Sequence, residues 1–191
     1  MKRKNFIPAI LFCCLSMTAS FSLMAQKSLR SSDNIFTKGS VTANLGVGVG
    51  NNYNDSKSAF GTKAALEFGV WPAGPGVISV GLEIGGTFSS QSNFDDRNDF
   101  RSRAVIIAGR SAWHSGWNVR NLDTYAGVSA GVGFRNHDYN YRGDHYQNDD
   151  VIPVFGVFAG ASYFFTPGFG VNIEAGHDIT SLQAGVIFKL R

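Results

Sequence analysis

Four residues near the C-terminus have the types that activate a hydroxyl: Glu174, His177, Asp178 and Ser181. A histidine within reach of a serine and oriented by an acid is the minimum geometry for a nucleophile. A polar hairpin tip presents the same residues with no chemistry to perform. A second set lies at 136–150, NHDYNYRGDHYQNDD. There His137, Asp138, Asp144, His145, Asp149 and Asp150 offer ligands to a divalent cation, since oxygen-rich clusters suit calcium. Their spacing lacks the regular acidic positions and terminal glutamate of a calcium loop, which favours a solvated loop. Tyr139, Tyr141 and Tyr146 say more. Tyrosines among Asn, Asp and Gly make an adaptable recognition surface, or anchor a loop base at lipid headgroups. Gly46-x-Gly48-x-Gly50 is strand alternation and no nucleotide loop, because no helix follows it. No catalytic residue, metal or cofactor is expected from these sets.

A third set is spread along the chain: Glu67, Glu83, Arg110, Asp123, Glu174 and Gln183. Whether these residues meet depends on the elements that carry them. The dominant pattern is alternation of period two. Val41, Ala43, Leu45, Val47 and Val49 alternate with Thr42, Asn44, Gly46, Gly48 and Gly50, and the stretches around 80 and 130 behave alike. Strands are expected at roughly 39–50, 60–72, 76–89, 100–113, 119–135, 151–165, 168–177 and 180–190. Polar connections at 51–59, 90–99 and 136–150 alternate with tight turns at Pro72–Pro75, His114–Asn118 and Thr166-Pro167. The last connection, near His177–Ile179, is short.

In an antiparallel hairpin the paired residue numbers sum to a constant. That arithmetic sets Glu67 opposite about 82 or 83, Glu83 opposite about 107–110, Arg110 opposite about 123 and Glu174 opposite Gln183. A ladder Glu67–Glu83–Arg110–Asp123 is therefore expected on the non-apolar face, with Glu174 reaching Arg110 from across. Neighbouring carboxylates repel unless a cation intervenes, and Arg110 is that cation.

Residues 1–25 have the basic start (Lys2, Arg3, Lys4), apolar middle and small-residue end of a secretory signal peptide. Cys13 and Cys14 fall inside it, so the exported chain has no thiol or disulfide. The full chain carries 17 Lys+Arg and 14 Asp+Glu. Loss of Lys2, Arg3 and Lys4 leaves 14 of each, so there is no basic footprint for nucleic acid. Residues 26–37 read as a short periplasmic lead-in with no assignable role, and 38–191 as one domain.

The identity of the second strand face decides the environment. A soluble barrel puts Lys and Glu outward and apolar residues inside. Here the non-apolar face is Gly, Ser, Thr and Asn, small enough to fill a narrow lumen, and strands of about 10 residues suit a tilted bilayer span. Trp71, Trp113 and Trp117 fall beside tight turns, and Phe165 and Phe169 flank the third, as in an interfacial aromatic girdle. In the final strand Leu182, Ala184, Val186, Phe188 and Leu190 alternate with smaller or polar residues. The positions Gln183, Gly185, Phe188 and Leu190 resemble the C-terminal signal read by the barrel-assembly machinery, although the chain finishes Leu190-Arg191 where such signals end on an aromatic.

On this architecture, the glycine-alternating strands and the terminal signal, the chain resembles the small eight-stranded outer-membrane β-barrels, the group with the outer-membrane protein A transmembrane domain. The resemblance implies an all-β, antiparallel up-and-down transmembrane barrel in the outer membrane of a Gram-negative cell. Its surroundings would be outer-membrane lipid and lipopolysaccharide. It does not imply one shared activity; a structural or surface-interaction role is expected, with any extracellular protein or surface ligand held by the loops. A narrow pore or apolar-solute conduit is the second expectation. A lipid-modifying enzyme is the third, although the His-x-Ser-Asn motif of lipid A deacylases is absent from His177-Asp178-Ile179-Thr180-Ser181.

Overall fold

Alternating small and apolar residues make pleated strands with two unlike faces, and such strands must close on themselves or expose an edge. In this computed structural model they close. The structure describes residues 34–50, 60–92, 99–141 and 144–191, with backbone alone for 90–92, 99–101, 137–141 and 144–148. The expected signal peptide lies outside the described residues. The eight strands are β1 (Val41–Val49), β2 (Phe60–Ala73), β3 (Gly76–Ser92), β4 (Asp99–Ser115), β5 (Leu122–Tyr141), β6 (Asp144–Thr166), β7 (Phe169–His177) and β8 (Leu182–Lys189). Each pairs antiparallel with the next, and β1 pairs with β8, so the sheet is a closed up-and-down barrel.

The register is staggered. Successive partners of Val41 are Phe68, Val80, Ser111, Val128, Val157 and His177. His177 lies beyond Ala175, the partner of Leu182, which itself faces Val49. One circuit thus climbs the whole of β1, and such a stagger tilts the strands against the barrel axis.

The two ends differ. At one end, which holds both ends of the described barrel, turns 74–75 and 167–168 are tight and 116–121 is wider. Gly74 (φ 60°) and Asn118 (φ 60°) take left-handed backbone there, as does Trp117 (φ 51°), an unusual choice for a bulky residue. At the other end, the far end, β3 to β6 run on together. The expected loops at 90–99 and 136–150 need correction here. Pairing of β3 with β4 continues to Ser92↔Asp99, and pairing of β5 with β6 continues to Tyr141↔Asp144. The polar composition read as loop belongs to strand that has left the apolar surroundings, where no alternation marks it. By contrast β6 loses β7 at Val157↔His177, and β1 leaves β2 at Val49↔Phe60. Among the described residues, four strands therefore stand as a ridge beyond the ends of the other four.

The faces are inverted relative to a soluble barrel. Leu82 is 64 % exposed and Phe155 70 %, while Lys63 and Arg110 are each 3 % exposed. The lumen also holds larger groups than Gly and Ser. Ile106, Ala108, Val154 and Ile179 form an apolar cluster inside. Ala112, Tyr125 and Phe158 form another. Both faces of Val105–Ile107 are apolar because one packs in this cluster and the other faces out.

Candidate functional site

The inward positions of six strands converge on one buried cluster. Arg110 on β4 is its hub. Its Nη1 donates to Glu83 Oε2 and its Nη2 to Glu174 Oε2, both at 3.0 Å. Its Nε lies 2.8 Å from Glu67 Oε1, but off the N–H direction, so this contact is an ion pair without a directed hydrogen bond. Lys63 on β2 is a second hub. Its Nζ donates to Asp178 Oδ2 at 2.5 Å and to Glu174, and lies 3.7 Å from Glu83 Oε2. Both cations sit over the Phe158 ring of β6, Arg110 at 4.1 Å and Lys63 at 5.6 Å from its centre. A ring face attracts desolvated cations, so the aromatic complements the acids.

Toward the tight-turn end, His114 continues the network. Its Nε2 lies 2.8 Å from Glu67 Oε2 and its Nδ1 2.8 Å from Asp123 Oδ2. An imidazolium donates from both nitrogens, whereas a neutral ring donates from one. Ser79 donates to Glu67 Oε2 at 2.7 Å. The contacts run without a break from Asp178 through Lys63, Glu174, Arg110, Glu67 and His114 to Asp123. Five buried acids (Glu67, Glu83, Asp123, Glu174, Asp178) face three buried basic side chains (Lys63, Arg110, His114).

Both mouths of the lumen are covered. At the tight-turn end Phe36 is buried and stacks on His114 with ring centres 4.0 Å apart. Asn34 holds that segment in place: its Nδ2 donates to Pro75 O at 2.8 Å, and its Oδ1 accepts from Gly116 N at 3.0 Å. Lys189 Nζ donates to Ile35 O at 2.6 Å. Part of the lead-in to which the sequence assigned no role is thus a stopper. At the far end the β7–β8 turn folds inward, burying Asp178, Ile179 and Thr180.

The structure brings Glu67, Glu83, Arg110 and Glu174 together, and pairs Glu174 with Gln183. It does not bring Asp123 to Arg110. Arg110 faces Ser129 on β5, and Asp123 reaches His114 instead. The expected register slipped because Trp117–Asn121 form a wider turn than the tight one assumed, with Asn121 also left-handed (φ 65°). Glu67 faces Gly81, and Glu83 faces Ala65 and Ala108. Lys63, His114, Asp178, Tyr125 and Phe158 were missed. Lys63 could have been found, since it shares the parity of Glu67 on its strand. Asp178 could not, because only the inward fold of a turn places it.

Glu174 faces the lumen and His177 the opposite side, while Asp178 is held by Lys63, so Glu174, His177 and Ser181 do not converge. Among the described residues no group of three or more His, Cys, Asp or Glu is arranged to hold a metal. The side chains of Tyr139, Tyr141 and Tyr146 lie outside the described residues; the backbone register sets Tyr139 opposite Tyr146. Trp71, Trp117, Phe165 and Phe169 are exposed around the tight-turn end, and Trp113 meets Trp117 edge-on at 5.8 Å. In β8, Gln183 faces the lumen and Phe188 faces out, as does Leu190 just beyond the strand.

No family model matches the chain. No curated protein matches it either. Among solved structures it is similar to Ail, the attachment invasion locus protein of Yersinia pestis, at 12% identity and TM-score 0.44, over 80% of this chain and 96% of that one. Ail in complex with the heparin analogue sucrose octasulfate gives 11% identity and TM-score 0.47, over the same shares. Neisserial surface protein A gives 13% identity and TM-score 0.44, over 79% and 96%.

Proposed function

We propose that this chain is an outer-membrane β-barrel of a Gram-negative cell that acts as a surface-interaction protein through its far-end ridge. One observation carries the reading: strands that bury a charged lumen expose an apolar belt, and above that belt four of them stay paired. On β5 the outward apolar residues run from Ala126 to Phe134, roughly 20 Å once the strand is tilted. That approaches the apolar band of about 25 Å on outer-membrane barrels. Above it Arg103, Asn136 and Asp149 form one cross-strand row, with Asn136 Nδ2 donating to Asp149 Oδ1 at 2.6 Å. Below it lies the girdle of Trp71, Trp113, Trp117, Phe165 and Phe169. Water-exposed apolar surface on this scale would be a severe aggregation hazard, and a bilayer removes it.

The tight turns then lie in the periplasm and the ridge outside, with 1–25 serving as export signal and the end of β8 as insertion signal. The interaction surface is the ridge β3–β6, with the tyrosine-bearing hairpin at its top. Among the described residues, the pairing of β6 with β7 stops at Val157↔His177, so Asp144 to Gly156 run on as an edge beyond β7. Pro153 fits such an edge. Phe164 N donates to Asn121 O, so even-numbered residues of β6 bond toward β5 and odd-numbered ones toward the open side. The N–H that Pro153 lacks is one that would have pointed away from the sheet. The filled, doubly covered lumen weighs against the pore reading, and the separation of Glu174 from His177 against the lipid-modifying enzyme.

The test is outer-membrane fractionation with gel migration before and after boiling. Membrane retention with a heat-shifted band supports the barrel; a soluble, unshifted chain overturns it. Cells carrying the barrel with 136–150 replaced by a two-residue turn should keep the shifted band and lose adhesion to immobilised matrix glycoproteins. Undiminished adhesion would overturn the ridge as the binding surface.

A further inference from the structure

The outward wall is not uniform. A shallow trough of about 630 Å³ crosses it from β8 to β4. Its small residues are Ala184, Thr62 and Gly86, with Val47 between the first two; Leu45, Ala64 and Ile84 form the row below, and Phe88 stands above. The floor follows one cross-strand row, Ala184–Val47–Thr62–Gly86–Val105. Because the register climbs toward the far end from β1 to β4, the trough runs diagonally. Its deep end is at Ala184 and its shallow end at Val105. Arg103 stands two residues beyond Val105 on the same outward face, directly opposite Phe88, and is exposed. No described acid forms an ion pair with it. Asp149 lies in the same row two strands away, already accepting from Asn136.

An apolar channel that deepens into the belt, with an exposed arginine in the next cross-strand row at the polar boundary, has the layout of a lipid. We propose that the trough and Arg103 hold a phosphate-bearing acyl lipid of the outer leaflet, with a chain along Ala184–Gly86 and a phosphate on Arg103. The inference rests on the outer-membrane reading above. A guanidinium fork matches phosphate geometry and forms charge-assisted hydrogen bonds. The wall itself does not require the trough to be empty of side chains, since Ala64 and Ala184 already carry Cβ atoms directed into it. A second barrel copy would bury the guanidinium against apolar residues, which is costly in lipid.

The test is native mass spectrometry of the refolded exported chain in nonionic detergent, with diphosphorylated lipid A or diacyl phosphatidylcholine as the probe. One lipid A should be retained per barrel, in preference to phosphatidylcholine. Arg103→Gln should weaken that retention about tenfold. The double variant Ala64→Leu/Ala184→Leu fills the trough while leaving the charge in place, and should weaken it as well. Val128→Leu, elsewhere on the wall, should not. Equal retention of both lipids, a retained dimer of the chain, or indifference to both trough variants overturns the proposal. All variants are first checked for the heat-shifted band. If the unaltered chain lacks that band, the outer-membrane reading falls and the lipid site with it. If the band is present and retention ignores the variants, the lipid site alone falls.

Discussion

At the residue scale the lumen is a problem in burying charge. Taking an ion pair out of water costs about as much as the pair returns, so its presence is weak evidence of stability, but removal of one partner leaves an uncompensated charge. Arg110 answers three carboxylates. Arg110→Ala should therefore destabilise the barrel by about 3–5 kcal/mol, read as the urea midpoint of the protein refolded in detergent or lipid. An unchanged midpoint would mean that water enters the lumen and screens the acids. Glu83 behaves differently. It is one of five acids facing three basic groups, and its Oε1 has no hydrogen-bond partner among the described residues. Glu83→Gln removes an excess negative charge while keeping the shape, and should shift stability by less than about 1 kcal/mol. A loss as large as that of Arg110→Ala would show that Glu83 is indispensable to both cations. Phe36 is the stopper's anchor, and Phe36→Ala should cost about 3 kcal/mol. Stability unchanged in that variant would mean that the stopper does not stay seated.

At the element scale the glycines of the strands matter where a neighbour occupies the space a side chain would fill. Gly160 on β6 faces Tyr125 on β5, and a Cβ there would meet the tyrosine Cζ at 2.5 Å and its hydroxyl at 2.6 Å. The tyrosine ring covers the glycine, an arrangement that pins register. Strand propensity favours valine over glycine by up to about 1 kcal/mol, whereas overpacking costs about 1–3 kcal/mol. The clash wins, so Gly160→Val should reduce the heat-shifted fraction on refolding. Gly109→Val is the control, because the nearest atom to its Cβ would be at 3.8 Å and the residue faces outward. Equal yields for the two would show that the Tyr125–Gly160 contact does not govern assembly.

For the whole molecule the consequence is a closed barrel. Ion pairs fill its middle, Phe36 and Asn34 cover one mouth, and Asp178–Thr180 cover the other. Reconstituted in planar bilayers, the protein should show no unitary conductance steps. Steps that vanish in a lumen-filling variant such as Ser129→Phe would overturn this and revive the conduit. The ridge belongs to the same scale. Among the described residues, it exists because β3–β6 continue beyond β7, β8, β1 and β2, a difference in strand length that no single strand contains.

The sequence by itself determined what depends on neighbours two residues apart. Val41–Val49 and Leu182–Leu190 alternate so strictly that their faces, and hence the eight-strand inverted barrel, are legible from residue parity. That Glu67, Glu83, Arg110 and Glu174 share the inward face was legible for the same reason, whereas the pairing arithmetic missed the residues that stand directly opposite Glu67 and Arg110. What the tertiary structure decided depends on turn geometry and on closure. The left-handed residues Trp117, Asn118 and Asn121 shifted the register of Asp123 away from Arg110 and toward His114. The inward fold of 178–180 brought Asp178 to Lys63. Closure set Phe158 beneath both cations, and Phe36 entered the mouth from a segment with no alternation at all. A period of two specifies which face a residue occupies; only the closed ring specifies what stands across the lumen from it.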